Sequence, residues 1–372
     1  MTRVSGPVFF LCGQRWSVNG LTAVIVFLTI FSNEFLVYII QSFRWPNLPV
    51  GSRDSSETQV ILLVADPQIQ GYQDEPGFPV GIISRWDIDR YLSQTFSLAH
   101  AYAKPDVVVF LGDLMDEGSK ATKDEYKSYY YRFLSVFGAS EKDKRVYIAG
   151  DNDIGGELRD MRKEWKMDRF EKHYDLLTGV DKVGFVDFIK MDIQTHGMPF
   201  VQKRDLAEEL QKKITSPIRI LVSHETVLPK AKVELYPLLR RLKPQLIFSA
   251  HWHKSIVFVC ENCMVDDDYT WPVHRRNLAW MTEYMSVNLT INQKALTEVM
   301  VPTCSYRMGE KDMGYGVAVI ESTGEMKYTV LWSPRRYTML YAYLIVFVPL
   351  LLVHMYFKFL PYLMKKIHKR RK

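Results

Sequence analysis

The sequence predicts a layered α/β domain flanked by two apolar segments, and three observations support this. Short apolar runs of strand length alternate with helix-like stretches through the middle of the chain. Several of these runs end at an aspartate or a histidine. An apolar run long enough to cross a membrane lies towards each end. The chain has 372 residues, of which 47% are hydrophobic, so it can bury a sizeable core.

The predicted elements follow one another in a regular order. Strand-like runs cover residues 59–65, 106–111, 145–149, 218–222 and 246–249. Helical spacing of apolar residues predicts helices over residues 87–103 and 123–137. Strands that alternate with helices are typical of a layered α/β core.

The side chains that follow these strands indicate a metal site. The strand ends carry Asp66, Asp113, Asp151, His224 and His251. One aspartate at such a place is ordinarily a turn or cap residue, but ligands of α/β sheets gather beyond the carboxyl ends of strands. Aspartate and histidine together suit Mn, Zn or Fe better than Ca. The pattern therefore predicts two ions, about 3.5–4 Å apart, that activate water and hold a phosphoryl group.

Motifs and charge argue against several other functions. The sequence has no P-loop, no glycine-rich dinucleotide fingerprint and no G-x-S-x-G nucleophile elbow. The net charge is +6, but residues 358–372 alone hold seven Lys and Arg residues, so the remainder carries about −1. Because the domain lacks a basic excess, nucleic acid is not expected as a partner.

The apolar segments predict transmembrane helices over residues 21–42 and 337–357. A cleaved signal peptide is the alternative for the first, and a buried core helix for the second. Basic residues in segment 1–20 and in the tail 358–372 predict that both ends are cytosolic, which makes residues 50–334 a lumenal domain.

Three charged residues bear on this topology. Arg335 and Arg336 lie on the lumenal side of the second segment and count against it. Glu34 lies inside the first segment and requires either a partner or a position near the membrane surface.

A lumenal location would give meaning to two smaller signals. Asn288 begins the sequon Asn-Leu-Thr, a glycosylation candidate. Cys260 and Cys263 form a lone C-x-x-C, and for these and Cys304 the sequence leaves a local disulfide and free thiols open.

The tail gives a hypothesis about location. Lys369 and Arg370 stand four and three residues from the C-terminus, like a dilysine-type retrieval signal that coat proteins or cargo receptors could read. The alternative is a basic cluster that fixes topology and contacts anionic lipid.

The order of the motifs resembles that of the calcineurin-like metallophosphoesterases. The superfamily pattern is D-x-H, G-D-x-x-D, G-N-H-D, a single H, and G-H-x-H. This chain has Asp66-Pro67-Gln68, Gly112-Asp113-Leu114-Met115-Asp116, Gly150-Asp151-Asn152-Asp153, His224 and Ala250-His251-Trp252-His253. The sequences around Glu34, Trp45-Pro46 and Glu117-Gly118 narrow the resemblance to the metallophosphoesterase 1 family.

The resemblance implies a four-layer αββα sandwich and two divalent ions, with Mn2+ as the expected metal. One ion would be bound by Asp66, Gln68, Asp113 and His253. The other would be bound by Asp113, which bridges, and by Asp151, His224 and His251. Asp116 would lie behind the ligands, and Asn152, oriented by Asp153, would occupy the catalytic position.

The family also implies a substrate and a compartment. It contains phosphodiesterases of the early secretory pathway that remove ethanolamine-phosphate from the GPI glycan, which lets GPI-anchored proteins leave the endoplasmic reticulum. The resemblance therefore implies a protein of the endoplasmic reticulum, the intermediate compartment or the cis-Golgi. Its partners would be the membrane and GPI-anchored proteins or a phosphorylated glycolipid.

Three departures from the family pattern bear on catalysis. Gln68 replaces a histidine, and an amide oxygen binds transition metals more weakly, although D-P-Q also occurs in the fungal branch. Asp151 replaces an asparagine, so that two ions and three carboxylates leave about +1. Asn152 replaces the histidine that can protonate the leaving group, a loss that costs about 10²–10⁴ in rate.

Another imidazole could supply the missing proton, and His196 and His274 are the candidates. Two functions thus stay open. One is an active phosphodiesterase, and the other is a metal-binding pseudoenzyme that recognises phosphorylated glycan or cargo without turnover.

Overall fold

The computed structural model describes residues 8–11, 14–49, 57–138, 143–156, 160–191, 200–229, 235–264, 273–278, 283–289 and 294–370. It consists of two compact units. The first, the helical unit, comprises Met1–Arg44 and Pro334–Lys372. The second, the catalytic unit, comprises Trp45–Ser333.

The described elements are as follows. The strands are β1 (Val8–Leu11), β2 (Gln14–Ser17), β3 (Thr58–Val64), β4 (Val107–Leu111), β5 (Lys144–Ile148), β6 (Gly179–Val183), β7 (Val186–Lys190), β8 (Ile218–Val222), β9 (Leu246–Ser249), β10 (Ile256–Cys260), β11 (Val273–Asn277), β12 (Met285–Asn288), β13 (Leu296–Met300), β14 (Gly314–Glu321) and β15 (Glu325–Trp332). The helices are α1 (Val18–Phe31), α2 (Val37–Ser42), α3 (Val80–Ala103), α4 (Lys123–Phe137), α5 (Asp151–Ile154), α6 (Glu164–His173), α7 (Phe200–Lys213), α8 (Tyr236–Leu242) and α9 (Arg336–Arg370).

The catalytic unit contains two mixed sheets. One has the order β12-β15-β14-β3-β4-β5, and the other has the order β11-β10-β13-β9-β8-β7-β6. Their inner faces share one core, in which Leu63 and Val109 of the first sheet belong to the same cluster as Val222 and Phe248 of the second. Strands such as β4 are buried along their whole length, as expected for parallel strands covered on both faces.

Helices cover both outer faces and complete the four layers. On the first sheet, α3 packs against β3 and β14, and α4 packs against α3. On the second sheet, Leu210 of α7 and Leu239 of α8 share a core cluster with Leu221 and Ile247. The αββα sandwich expected from the sequence is therefore confirmed.

Most of the expected elements have close to their expected bounds. The strands β8 and β9 and helix α4 coincide with the predicted ranges. Helix α3 begins at Val80, seven residues before the predicted start at Asp87. The added turns carry exposed apolar side chains, including Ile82, Ile83 and Trp86, so they lack the core-facing pattern on which the prediction depended.

The helical unit holds two helices that could cross a membrane. The segment Val18–Ser42 has a mean hydropathy of 2.1 and Arg336–Phe357 has 2.0. Their most apolar windows are only 11% and 0% buried, unlike the core helix of a soluble protein. Between α1 and α2, Ser32–Leu36 form a π-helical turn. The helix continues past the second segment, because α9 extends to Arg370.

Glu34, in the π-helical turn, has the partner that its position in an apolar segment requires. Arg336 Nη1 lies 3.1 Å from Glu34 Oε1, and the hydroxyl of Tyr343 donates to the same oxygen. Asn33 Nδ2 donates to the carbonyl of Met339 at 3.0 Å. Arg336 is a basic residue on the predicted lumenal side, which counted against the predicted topology. Its charge is balanced by Glu34 in the buried contact between the two helices.

The two helices run antiparallel. One end of the pair is marked by Glu34 and Arg336, and the other by His354 Nε2, which lies 3.3 Å from Asn19 Oδ1. If both helices span a membrane, the segments before α1 and after α9 lie on the same side of it.

Candidate two-metal centre

The carboxyl ends of strands from both sheets meet at one edge of the sandwich, here called the metal edge. Asp66 follows β3, Asp113 follows β4, and His224 follows β8. Although they come from different sheets, His224 Nε2 lies 3.5 Å from Asp113 Oδ1 and His224 Nδ1 lies 3.9 Å from Asp66 Oδ1. The predicted convergence of strand ends is therefore observed.

Asp151, His224 and His251 form the first potential metal-binding group. Asp151 Oδ1 lies 3.1 Å from both His224 Nε2 and His251 Nδ1. His224 Nδ1 lies 2.8 Å from the carbonyl of Leu111, which can only accept a hydrogen bond. That bond fixes the ring, so that Nε2 is directed at the group as a metal ligand would be.

Asp66, Asp113 and His224 form the second group. Asp66 is fully buried, and neither of its carboxylate oxygens accepts a hydrogen bond from the protein. A buried carboxylate is stable only when it is paired, hydrogen-bonded or bound to a cation. The donor set and this unsatisfied carboxylate therefore fit divalent metal ions.

Gln68 and His253 lie beside the second group. Gln68 Nε2 donates to Asp113 Oδ2 at 3.1 Å, and His253 Nε2 lies 3.9 Å from Asp66 Oδ1. Burial, together with the charges of His224 and His251, lowers the pKa of His253 to about 4, so its ring is neutral at pH 7. The structure thus brings all seven expected ligands together, and their assignment to particular ions stays a prediction.

The electrostatics of the centre are dominated by carboxylates. Burial raises the pKa values of Asp66 and Asp113, and the nearby charge of His224 offsets this only in part. Burial would also raise the pKa of Asp151, but hydrogen bonds from His224 and His251 hold it well below its usual range. Burial would lower the pKa of His224, but the surrounding aspartates raise it well above the usual value. The centre attracts positive charge.

The backbone of the centre is unusual. Among described residues other than glycine, positive φ angles occur at Asp66 (47°), Gln68 (43°), Asp113 (50°), His251 (70°) and His253 (62°), and also at Lys104 and Lys243. The two lysines are helix C-caps, where this conformation is ordinary. The other five are expected ligands, and left-handed backbone concentrates at functional sites.

Two glycines allow the loops to approach each other. A Cβ atom at Gly112, which has φ 90°, would lie 2.6 Å from His224 Nδ1. A Cβ atom at Gly150 would lie 2.1 Å from Asp113 Oδ1. The glycine of each motif is therefore required by close packing around the metal ligands.

The residues after Asp151 connect two motif loops. The backbone N–H of Asn152 donates to Asp113 Oδ1, and its side-chain amide donates to Oδ2, both at 3.0 Å. Asp153 is buried and accepts hydrogen bonds from the N–H groups of Gly150, Leu114 and Met115 at 2.9–3.1 Å. Asp153 thus holds the backbone of both loops, and Asn152 contacts Asp113, the expected bridging carboxylate.

Asp116 is half-buried and belongs to neither metal-binding group. Burial and the charges of Glu117 and Glu75 raise its pKa to about 6. This agrees with its expected place behind the ligands.

A neighbouring segment that carries no family motif also supports the centre. Thr303 Oγ1 donates to the carbonyl of Asp66 at 3.0 Å, and its N–H donates to the carbonyl of His253 at 3.4 Å. The sequence held no signal for Thr303, because it acts on backbone atoms far away in the chain.

The remaining expectations have mixed outcomes. His274 lies in β11 with an exposed ring 3.9 Å from Glu261, and its role as a replacement acid stays a prediction. His196 lies outside the described residues. Cys260, Cys263 and Cys304 are buried free thiols. Asn288 is exposed at the end of β12, and glycosylation there stays a prediction.

Comparison with known families agrees with this geometry. The model of the calcineurin-like phosphoesterase family matches residues 60–255. The chain belongs to that family. A metal-dependent phosphoesterase is accordingly the class that the fold and the centre define.

Particular relatives share the name metallophosphoesterase 1. That of Ailuropoda melanoleuca is 29% identical over 168 residues, which cover 44% of this chain and 41% of the relative. That of Danio rerio is 27% identical over 199 residues, which cover 52% of this chain and 50% of the relative. The chain thus matches half or less of the length of these relatives. A solved dimetal phosphatase from Danio rerio has a TM-score of 0.43 at 9% identity, covering 75% of this chain and all of that one, which is too distant to carry weight.

Proposed function

We propose that this protein is a membrane-anchored two-metal phosphodiesterase of the early secretory pathway. Its substrate would be an ethanolamine-phosphate branch of GPI glycans, whose removal allows GPI-anchored proteins to move from the endoplasmic reticulum to the Golgi. The observation that carries the proposal is the buried carboxylate of Asp66, whose oxygens accept no hydrogen bond from the protein and which lies beside Asp113 and His224. The names of the relatives support a phosphoester as the substrate, and the two apolar helices support the membrane anchor.

The chain's own residues would prepare the centre for hydrolysis. Asp66, Gln68, Asp113 and His253 would hold one ion, and Asp113, Asp151, His224 and His251 the other. Bound divalent ions, expected to be Mn2+, would lower the pKa of water and draw charge from the phosphoryl oxygens. The Leu111 carbonyl orients His224, and Asp153 holds the loops of Asp113 and Asn152 in register. Asn152 can donate a hydrogen bond to a phosphoryl oxygen but cannot protonate a leaving group.

The position of Asn152 favours a second candidate, a metal-binding pseudoenzyme. Its amide is turned towards Asp113, and in the described chain the imidazoles at the centre are those of the expected ligands His224, His251 and His253. A site that holds metal but lacks a general acid would bind phosphorylated glycan or cargo without turnover.

One assay separates the two candidates. The full chain in detergent, loaded with Mn2+, would be given an activated phosphodiester, beside Asp113→Ala. Turnover that disappears in Asp113→Ala supports the phosphodiesterase and leads to GPI glycans as substrates, with release of ethanolamine-phosphate as the readout. Two bound metal equivalents without turnover support the pseudoenzyme, and Asp151→Asn with Asn152→His would then restore activity.

The compartment is part of the same proposal. The antiparallel helix pair supports cytosolic termini and a lumenal catalytic unit. Lys369 and Arg370, at the end of α9, would return the protein to the endoplasmic reticulum or cis-Golgi through coat or cargo receptors. Replacing both with Ser should move it to later compartments, and an unchanged distribution would leave the basic cluster as a lipid contact only.

A further inference from the structure

The catalytic unit exposes one concentrated apolar surface, here called the α3 tip, formed by Phe78, Val80, Ile82, Ile83 and Trp86. These five side chains are 86%, 56%, 53%, 59% and 63% exposed, and they fall within nine consecutive residues. The other large apolar side chains exposed in the described part of the catalytic unit are spread out, at Tyr72, Tyr131, Met161, Trp165 and Leu176. A soluble surface rarely concentrates so many without a partner.

The α3 tip lies at the metal edge. Ser84 Oγ donates to Gln70 Oε1 at 3.0 Å, two residues after the expected ligand Gln68. Arg307 Nη1 donates to Ser84 Oγ at 3.3 Å, and Arg307 Nη2 pairs with Glu75 at 2.5 Å. The start of α3 is thus fixed to the loops that carry the centre.

Helix α3 is longer than the sheet it covers. At 1.5 Å per residue, its 24 residues extend about 36 Å, whereas the seven residues of β3 extend about 23 Å. Thr95 Oγ1 lies 2.9 Å from the hydroxyl of Tyr315, the second residue of β14, at the metal edge. The turns before Thr95 therefore project beyond the strand ends, and the tip is their outermost part.

Strand β15, which precedes α9 in the chain, ends at the same edge. Trp332 ends β15 opposite Gly314, and Gly316 lies opposite Leu63 near the end of β3. Arg336, where α9 begins, is four residues further along the chain. Trp45, three residues after the end of α2, donates from Nε1 to the Trp332 carbonyl at 2.9 Å.

We propose that the α3 tip enters the interfacial layer of the lipid bilayer and turns the metal centre towards phosphoesters at the membrane surface. This proposal deepens the proposed function. Its statement about the substrate rests on that function, whereas the insertion of the α3 tip does not. The occupant is a bilayer rather than a protein because the chain continues from this edge, within four residues, into a helix that is long and apolar enough to cross a membrane. The side chains also suit it: phenylalanine, tryptophan and isoleucine partition into the interface, and Arg90 lies over the Trp86 ring, 5.3 Å from its centroid.

Nitroxide accessibility in the full chain tests the contact directly. A label would be placed at Ile82→Cys, with a matched label at Thr323→Cys in the exposed hairpin after β14, at the opposite edge. The background would carry Cys12→Ser, because Cys260, Cys263 and Cys304 are buried. In liposomes of phosphatidylcholine, the label at 82 should be several-fold more accessible to oxygen and less accessible to a nickel chelate than the label at 323.

A second variant makes the result decisive. Phe78→Asp with Ile83→Asp should shift the label at 82 towards water by at least about tenfold in the insertion equilibrium, because an aspartate in an apolar layer costs more than 1.4 kcal/mol. Equal aqueous accessibility at 82 and 323 would overturn the proposal. Shielding from both reagents, with spin–spin broadening at high protein density, would overturn it in favour of a second copy. None of these readouts requires turnover, so failure of the phosphodiesterase proposal would be seen separately.

Discussion

Two regions of the molecule compensate their buried carboxylates in different ways. In the helical unit, Glu34 is paired with Arg336 and Tyr343. In the metal centre, Asp66 is fully buried and neither of its oxygens has a hydrogen-bond partner. The carboxylate of the helical unit is thus compensated by a counter-charge and a hydroxyl of the chain, whereas Asp66 accepts no hydrogen bond from the protein, as a metal ligand would. Neutralising a carboxylate should therefore have opposite effects in the two regions.

The largest effect is expected in the helical unit. Glu34→Gln leaves Arg336 buried without its counter-charge, which should destabilise the helix pair by about 3–5 kcal/mol. Energy transfer between labels at Asn19→Cys and His354→Cys, followed through an SDS titration, would measure this. The double variant Glu34→Gln with Arg336→Gln should recover most of the loss. Equal losses in the single and double variants would show that the ion pair does not stabilise the pair of helices.

Asp113→Ala should be the most damaging change in the metal centre. Asp113 contacts Gln68, Asn152 and His224, and it is the expected bridge between the two ions. Its loss should lower metal affinity or turnover by at least about 100-fold, the upper end for loss of a residue that only supports a ligand. Metal stoichiometry by mass spectrometry under native conditions checks this without an activity assay. Retention of two tight equivalents would rule out the bridging role.

Metal removal should also separate the regions. At a free Mn2+ concentration of about 100 times Kd, binding at one site should stabilise the catalytic unit by about 2.7 kcal/mol. Tryptophan fluorescence during thermal unfolding, with and without EDTA, would report this. The unfolding of the helical unit, reported by the labels at Asn19→Cys and His354→Cys, should not change when the metal is removed. A similar shift there would contradict the view that the two regions compensate their carboxylates separately.

Asp153→Asn should have a smaller effect. Asp153 accepts three backbone N–H groups, whereas an asparagine offers one acceptor oxygen and turns its NH2 group towards a donor. Metal affinity or turnover should fall about 10–100-fold. Asp116→Asn is the matched control, since Asp116 lies outside both metal-binding groups. Equal losses in the two variants would count against a positioning role for Asp153.

The smallest effect has the opposite sign. Asp66→Asn replaces a buried carboxyl group whose oxygens accept no hydrogen bond from the protein, so it should stabilise the metal-free catalytic unit by on the order of 1 kcal/mol. The same change should reduce the stabilisation gained from Mn2+. Thermal unfolding in EDTA and in Mn2+ checks both signs. A loss of stability in EDTA would show that the metal-free site is compensated in some other way.

The sequence predicted the parts of the fold that depend on local pattern. The strands that end at Asp66, Asp113, His224 and His251 are short apolar runs, and α4 has clear helical spacing, so both appeared in nearly the observed places. The strands β10 to β13 were not predicted, and two of them, β11 and β12, are edge strands. The Glu34–Arg336 pair could not be predicted from local pattern, since 302 residues separate its members.

The same limit applied to the candidate site. Motif order predicted seven ligands, whose role stays a prediction, but it did not reveal the support that Thr303 gives to Asp66 and His253. Side chains that act on backbone atoms leave no characteristic residue spacing. The α3 tip was also missed, because an exposed apolar stretch does not follow the amphipathic pattern of a helix that packs on a core.

The left-handed backbone of the expected ligands limits which substitutions these positions can accept during evolution. Four of the five, Asp66, Asp113, His251 and His253, are of residue types that tolerate a positive φ better than most. Selection for metal chemistry and selection for a foldable loop therefore favour overlapping residues at the same positions. A lineage that lost catalytic activity could keep most of these residues for conformational reasons alone. Asparagine and glycine would be the first permitted replacements, and β-branched residues the last.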